Sequence, residues 1–178
     1  MKINPLTYAE LSRPMYVLEE ARLRENLNLI AHVAKEADVE IILAFKAYAL
    51  WRTFPIFREY IKATTASSLF EARLGFEEFG APTHTFSPGY TDYEIDDIAR
   101  CSSHLVFNSI TQYERYHVRA KMVNSKLSFG LRVNPEYSEV ETLIYNPCAP
   151  GTRFGISSDK LPDTLPADVD GLHVHCPC

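Results

Sequence analysis

Two hydrophobic periods divide the chain, and their order predicts repeated strand–helix units. From Glu19 onward, Leu23, Leu27, Ile30 and Ala34 fall on one helical face, while Glu20 and Arg24 sit four positions apart on the other. That pattern ends at Ala37-Asp38, and Met15–Leu18 ahead of it reads as a short strand. Ile41–Phe45 is a continuous apolar run, the mark of a fully buried parallel strand, and it stops at Lys46. Trp51, Phe54, Phe57 and Ile61 return to helical spacing, with Pro55 compatible only with a first turn. These aromatics read as core.

Beyond Lys62 the alternation becomes regular. Strands are predicted at Thr64–Ser67, His84–Ser87, His104–Phe107, Leu127–Asn134 and Val169–His175. Ser68–Glu71, Thr91–Glu94 and Ser109–Gln112 have the form of capping boxes that open helices, and Gly80 stops the first of these. Counting Ile41–Phe45, the first five strands recur at intervals of about 20 residues, as βα units do. Each box sets helix N–H groups just past the carboxyl end of a strand, where α/β proteins bind ligands. No GxGxxG fingerprint follows the first strand, so a (β/α)8 barrel is favoured over a doubly wound sheet. Six strands do not close such a barrel, and the sequence stops at Cys178 with no helix to cover the last one. The expected organisation is a flank at residues 1–14 and an incomplete barrel over 15–178, a fragment of a longer fold.

Composition narrows the function classes. The chain has 178 residues and is 46% hydrophobic, which suffices for one sizeable core. A net charge of −5 gives no basic footprint for nucleic acid. No run reaches the length of a membrane span, and the polar start lacks a signal-peptide pattern. Cys101, Cys148, Cys176 and Cys178 lack the paired spacing of a secreted disulfide framework. A cytoplasmic protein with neither nucleic-acid nor membrane partners is expected.

Candidate chemistry begins at Lys46. A lysine ending an apolar strand either snorkels to water or stays in a partly dry site, where a neutral amine can attack a carbonyl. Both readings stand on these residues alone. The irregular stretch from Asn134 to Gly151 carries Glu136, Glu139 and Glu141 and is either a solvated acidic loop or a functional one. The tail from His173 to Cys178 holds four zinc-type donors within six residues, too crowded to surround one tetrahedral ion.

Five runs, LAFKAYALW, TTASSLFEARLGFEEFG, VFNS, LRVNPEYSEVET and YNPCAPGTRFG, resemble the carboxynorspermidine decarboxylases. That family belongs to the fold-III group of pyridoxal-phosphate enzymes, built on an alanine racemase-like barrel. The resemblance covers residues 10–175. It implies pyridoxal 5'-phosphate as cofactor and Lys46 as the lysine that carries it, with Lys46 or another acid returning a proton after the carboxylate leaves. It implies His175 against the cofactor ring, with His173 the weaker candidate, and Arg132 near the cofactor; Arg153 reads equally as an ion-pair residue. Ser68 and Glu71 match a Ser-x-x-Glu of the group, but a capping box explains them fully.

The implied substrate is a carboxylated triamine, carboxynorspermidine or carboxyspermidine, which the acidic loop suits electrostatically. A homodimer is implied for full-length members. Where the family continues Thr-x-Cys-Glu after the second histidine, this chain runs Cys176-Pro177-Cys178. Phosphate loops, the acidic partner of the pyridine nitrogen and the C-terminal β-domain are expected to lie beyond residue 178, leaving little activity in this portion alone. The alternatives are a non-catalytic pyridoxal-phosphate-binding barrel, against which the NPEYSEVET loop argues, and an inert truncated product.

Overall fold

The computed structural model describes Arg13, Pro14 and residues 16–175. The rest of the 1–14 flank, Met15 and the Cys176–Cys178 tail lie outside the described residues. Residues up to Glu40 form one compact unit and those from Ile41 a second.

In the first unit, helix α1 spans Glu20–Glu36 and ends at Ala37. Glu20 and Arg24 pair across one turn at 2.9 Å, as their spacing predicted. The strand expected at Met15–Leu18 is not formed over Tyr16–Leu18, which are exposed. These residues have no strand partner among the described residues, and an extended segment with neither partner nor buried face gains nothing from being a strand.

The second unit is one parallel sheet of six strands, in the order of their sequence: β1 (Leu43–Ala44), β2 (Thr64–Ala66), β3 (Thr83–Phe86), β4 (Ser102–Phe107), β5 (Ser128–Val133) and β6 (Val169–Val174). Helices α2 (Phe54–Tyr60), α3 (Leu69–Leu74), α4 (Ile95–Cys101) and α5 (Ile110–Val123) connect the first five strands in turn. Sequential order without reversal is that of a barrel wall; a doubly wound sheet would reverse its order at a switch point. Between β5 and β6 runs a long loop with short 3₁₀ turns at Leu143–Tyr145 and Ser158–Lys160.

Two local expectations change. β1 holds only two residues, and Ile41 and Ile42 before it are half-buried rather than buried. It pairs with β2 alone among the described residues, at one edge of the sheet. Thr91 does not cap a helix either. Its hydroxyl donates to the Glu94 carboxylate at 2.7 Å, and α4 begins only at Ile95. The other two boxes form, with Ser68 accepting the Glu71 N–H at 3.2 Å and Ser109 the Gln112 N–H at 3.1 Å. Each return bond reaches the residue before the cap, Ser67 N–H to Glu71 and Asn108 N–H to Gln112.

Register divides the sheet into two unlike faces. Leu105, Phe107, Phe129 and Leu131 point to one side and pack with Ile95, Ile98 and Ala99 of α4 and Tyr113, Tyr116 and Ala120 of α5. Phe107 lies at the middle of this core, its ring centre 5.4 Å from Phe129 and 5.7 Å from Tyr113. The opposite face carries His84, Phe86, His104, Val106, Arg132 and His173, linked by register from strand to strand. β6 is the second edge; its Leu172 and Val174, register partners of Leu131 and Val133, are each 53% exposed. Chemistry-bearing residues therefore collect on the face that the helices do not cover.

Candidate active site

Parallel strands all end on one side, so residues at and past their carboxyl ends meet there. Lys46 sits in the turn leaving β1, where Ala47 and Tyr48 donate N–H bonds to the Ala44 carbonyl at 3.0 and 3.1 Å. Lys46 is exposed, so burial does not supply a partly dry environment here. Lys46, Ser67, Phe86, Arg132, His173 and His175 line one cavity of about 550 Å³, with Phe154 and Pro147 entering from the long loop. Lys46 and His175, at opposite edges of the sheet, thus share a site. Ser87, Asn108 and Asn134, also at strand ends, are not in the lining.

Arg132 is the buried charge of this cavity, 5% exposed. Its guanidinium carbon lies 4.9 Å from the Phe86 ring centre and 5.1 Å from that of Phe154. A planar, weakly hydrated guanidinium suits such a slot between aromatic faces. His173, opposite Arg132 in register, has its ring centre 4.8 Å from Phe86 and 6.4 Å from His175. Burial, reinforced by the positive charges of Arg132, His175 and Lys46, depresses the His173 pKa to about 4. His175 keeps an exposed edge; its pKa is also lowered, first by the burial of its ring and then by Arg132 and Lys46. Near neutral pH both imidazoles are uncharged.

The long loop returns beside β5. Ile156 donates to the Arg132 carbonyl and accepts from the Asn134 N–H, both at 2.8 Å. Gly155 makes this approach possible, with φ +79°, and a Cβ there would sit 2.9 Å from the Asn134 nitrogen. On the other side, the Cys148 thiol meets the His175 carbonyl at 3.6 Å, fixing Pro147 at the end of β6. Phe86 and Phe154, which also line the cavity, are not among the residues that the sequence marks for the site. Their available signals were the inward alternation of the Thr83–Phe86 strand and the Phe-Gly pair where the loop turns back. Glu136, Glu139 and Glu141 are not in the cavity lining. Glu136 accepts from the Ser158 hydroxyl at 3.0 Å and Glu139 from the Tyr137 hydroxyl at 2.9 Å.

The chemistry of the donor set is coherent. All the ionisable side chains in the lining are basic: a primary amine, a guanidinium and two imidazoles. Such a cavity suits a flat ligand with an aldehyde for the amine, a ring for the aromatic and imidazole faces, and anionic groups for Arg132.

No protein-family model matches the chain. A carboxyaminopropylagmatine decarboxylase from Synechocystis is 40% identical over 170 residues, 96% of this chain and 43% of that protein. The crystal structure of carboxynorspermidine decarboxylase from Campylobacter jejuni, complexed with norspermidine, superposes with a TM-score of 0.81 at 33% identity. That match covers 94% of this chain and 42% of the other. A crystal structure of diaminopimelate decarboxylase from Helicobacter pylori, complexed with L-lysine, matches with a TM-score of 0.75 at 13% identity, over 96% of this chain and 46% of the other, a likeness of fold alone. The chain spans under half the length of the relatives it matches. Among the described residues no helix is long and apolar enough to cross a membrane. Over nearly its whole length the chain is therefore homologous to the N-terminal part of the carboxy(nor)spermidine decarboxylases, and it shares the parallel sheet of the fold-III carboxy-lyases.

Proposed function

We propose that this chain supplies the lysine-bearing part of a pyridoxal-phosphate-dependent carboxy-lyase of polyamine biosynthesis. Its substrate would be a carboxylated triamine, carboxynorspermidine or carboxyspermidine, or a guanidino counterpart such as carboxyaminopropylagmatine. The observation that carries this reading is the convergence of Lys46, Arg132, His173 and His175 on one cavity, with no carboxylate among the described residues that line it.

The residues present fit the cofactor's functional groups. Lys46 Nζ is the primary amine for its aldehyde, His175 offers a ring face, and Arg132 offers N–H donors to an anion. When bound there, pyridoxal phosphate supplies an electron sink for the pair left behind as the carboxylate departs as carbon dioxide. Arg132 donates to anionic oxygens and orients them. His173 and His175, held neutral, can donate or accept without adding charge beside Arg132. Lys46 Nζ, exposed at the cavity rim, would be free to deliver a proton to the carbon that loses its carboxylate once the substrate's own amine has replaced it at the aldehyde. The cationic tail of the substrate is left outside this basic cavity, where Glu136, Glu139 and Glu141 attract it at longer range. The setting consistent with this chemistry is the cytoplasm, and a homodimer is proposed for the full-length protein.

Borohydride reduction in the presence of pyridoxal phosphate, followed by peptide mapping, tests the reading. Label should concentrate on Lys46 and disappear in K46R. Label spread over Lys62, Lys126 and other surface lysines, with Lys46 unmodified, would overturn it.

A further inference from the structure

We infer that Asn108 is a positioning residue of this cavity, acting through Phe154 on Arg132; the inference rests on the cavity being the site proposed above. Asn108 directly follows β4 and is 8% exposed. Its carboxamide is engaged at both ends by one short stretch of the long loop. Nδ2 donates to the Arg153 carbonyl at 2.8 Å, and Oδ1 accepts the Gly155 N–H at 2.9 Å. The two bonds grip the backbone on either side of Phe154. A carboxamide donates from one atom and accepts at another, which a single hydroxyl oxygen or an ionised carboxylate cannot do.

The same stretch is tied to β5 by the backbone bonds of Ile156. Phe154 is thus fixed from β4 on one side and β5 on the other. Its ring forms one wall of the slot that holds the Arg132 guanidinium, 5.1 Å away, and Phe86 forms the second. A guanidinium kept in one plane presents its N–H edge in that plane, the geometry that matches a carboxylate or phosphate anion. Removing the grip on residues 153–155 would loosen one wall and let the plane turn.

The test uses the whole chain and the variants N108A, N108D and F154L. The first readout needs no cofactor. Phenylglyoxal modification of Arg132, followed by peptide mapping, is compared with that of Arg115, an exposed arginine paired with Asp92. The stacked Arg132 should resist, and N108A, N108D and F154L should each speed its modification by about tenfold, as local opening does, with Arg115 unchanged. The second readout is affinity for pyridoxal phosphate by absorbance titration. Each variant should weaken it by about three- to tenfold, the range of a partly desolvated cation–π contact, and should have no further effect in an R132M background. A lowered melting temperature with Arg132 labelling and affinity unchanged would make Asn108 merely structural and overturn the inference. Equal losses of affinity with and without Arg132 would also overturn it. If the unmodified chain binds no pyridoxal phosphate, Arg132 labelling alone decides the grip, and the cofactor reading is decided by the borohydride test above. If N108A does not fold, N108D carries both readouts for Asn108.

Discussion

Arg132 and His173 are register partners on β5 and β6, and both lie against the same ring, that of Phe86, at 4.9 and 4.8 Å. A permanent cation and a titratable imidazole are thereby held side by side on one face of the sheet. Burial of the imidazole, reinforced by that cation, makes it give up its proton more readily, and its pKa falls to about 4.

That arrangement sets a pH dependence. In the unfolded chain the imidazole takes up a proton near its ordinary value of 6.5, whereas in the fold it resists until about 4. Proton uptake thus favours the unfolded chain between these values, so stability should fall as pH drops through that window and be unaffected by this group above it. Urea denaturation at a series of pH values should show the loss, and H173Q should flatten it. An unchanged slope in H173Q would refute the assignment.

The caps give a sharper contrast, because the sequence offers three similar motifs and the structure forms two. S68A and S109A should each cost about 1 kcal/mol, since each removes an acceptor for a helix N–H. T91A should stay within about 0.5 kcal/mol, because its hydroxyl meets only the exposed Glu94 carboxylate. Chemical denaturation of the three variants side by side distinguishes a true cap from a look-alike.

G155A should be costly for its size. The added Cβ would meet the backbone of Asn134 and Val133, at 2.9 and 3.0 Å, in a left-handed conformation. A loss on the order of 1–3 kcal/mol is expected from strain of this kind, with weaker pyridoxal phosphate binding because Phe154 is displaced. Binding and stability both equal to the parent would show that the loop re-routes freely.

F107A should open a cavity in the middle of the helix-covered core and cost about 3–5 kcal/mol. F86L removes an aromatic ring from the other face and should spare stability while weakening anion binding. Equilibrium unfolding of the pair, with phosphate titration beside it, would reveal any mixing of the two roles.

Much of this was legible in the sequence because it was local and periodic. Alternation of strands and helices, the Ser68 and Ser109 caps, and the stop at Gly80, which ends the π-helical turn Gly75–Phe79 that continues α3, all follow from neighbours within a few positions. The meeting of Lys46, Ser67 and His175 follows from the rule that parallel strands end together, whereas Arg132 was marked only by the family resemblance. What was not legible was contingent on long-range contact. Nothing near Leu43 shows that it lies in an edge strand of two residues, since edge or centre is decided by strands far along the chain. Thr91 carries the cap pattern, but its hydroxyl prefers the carboxylate of Glu94. Phe154 becomes a wall for Arg132 only because a buried asparagine and a backbone pairing fold the loop back.

The alternation of β5 also constrains how this gene can change. Leu131 belongs to the helix-covered core and Arg132 to the cavity, one position apart. Losing or gaining a single codon within the strand would exchange them, driving a guanidinium under α4 and α5 and a leucine into the cavity. Substitutions on the two faces can then be accepted independently, one filtered by folding and the other by chemistry. Length changes cannot, and insertions or deletions between related proteins should fall in the segment between Asn134 and Gly151 and not in the strands that flank it.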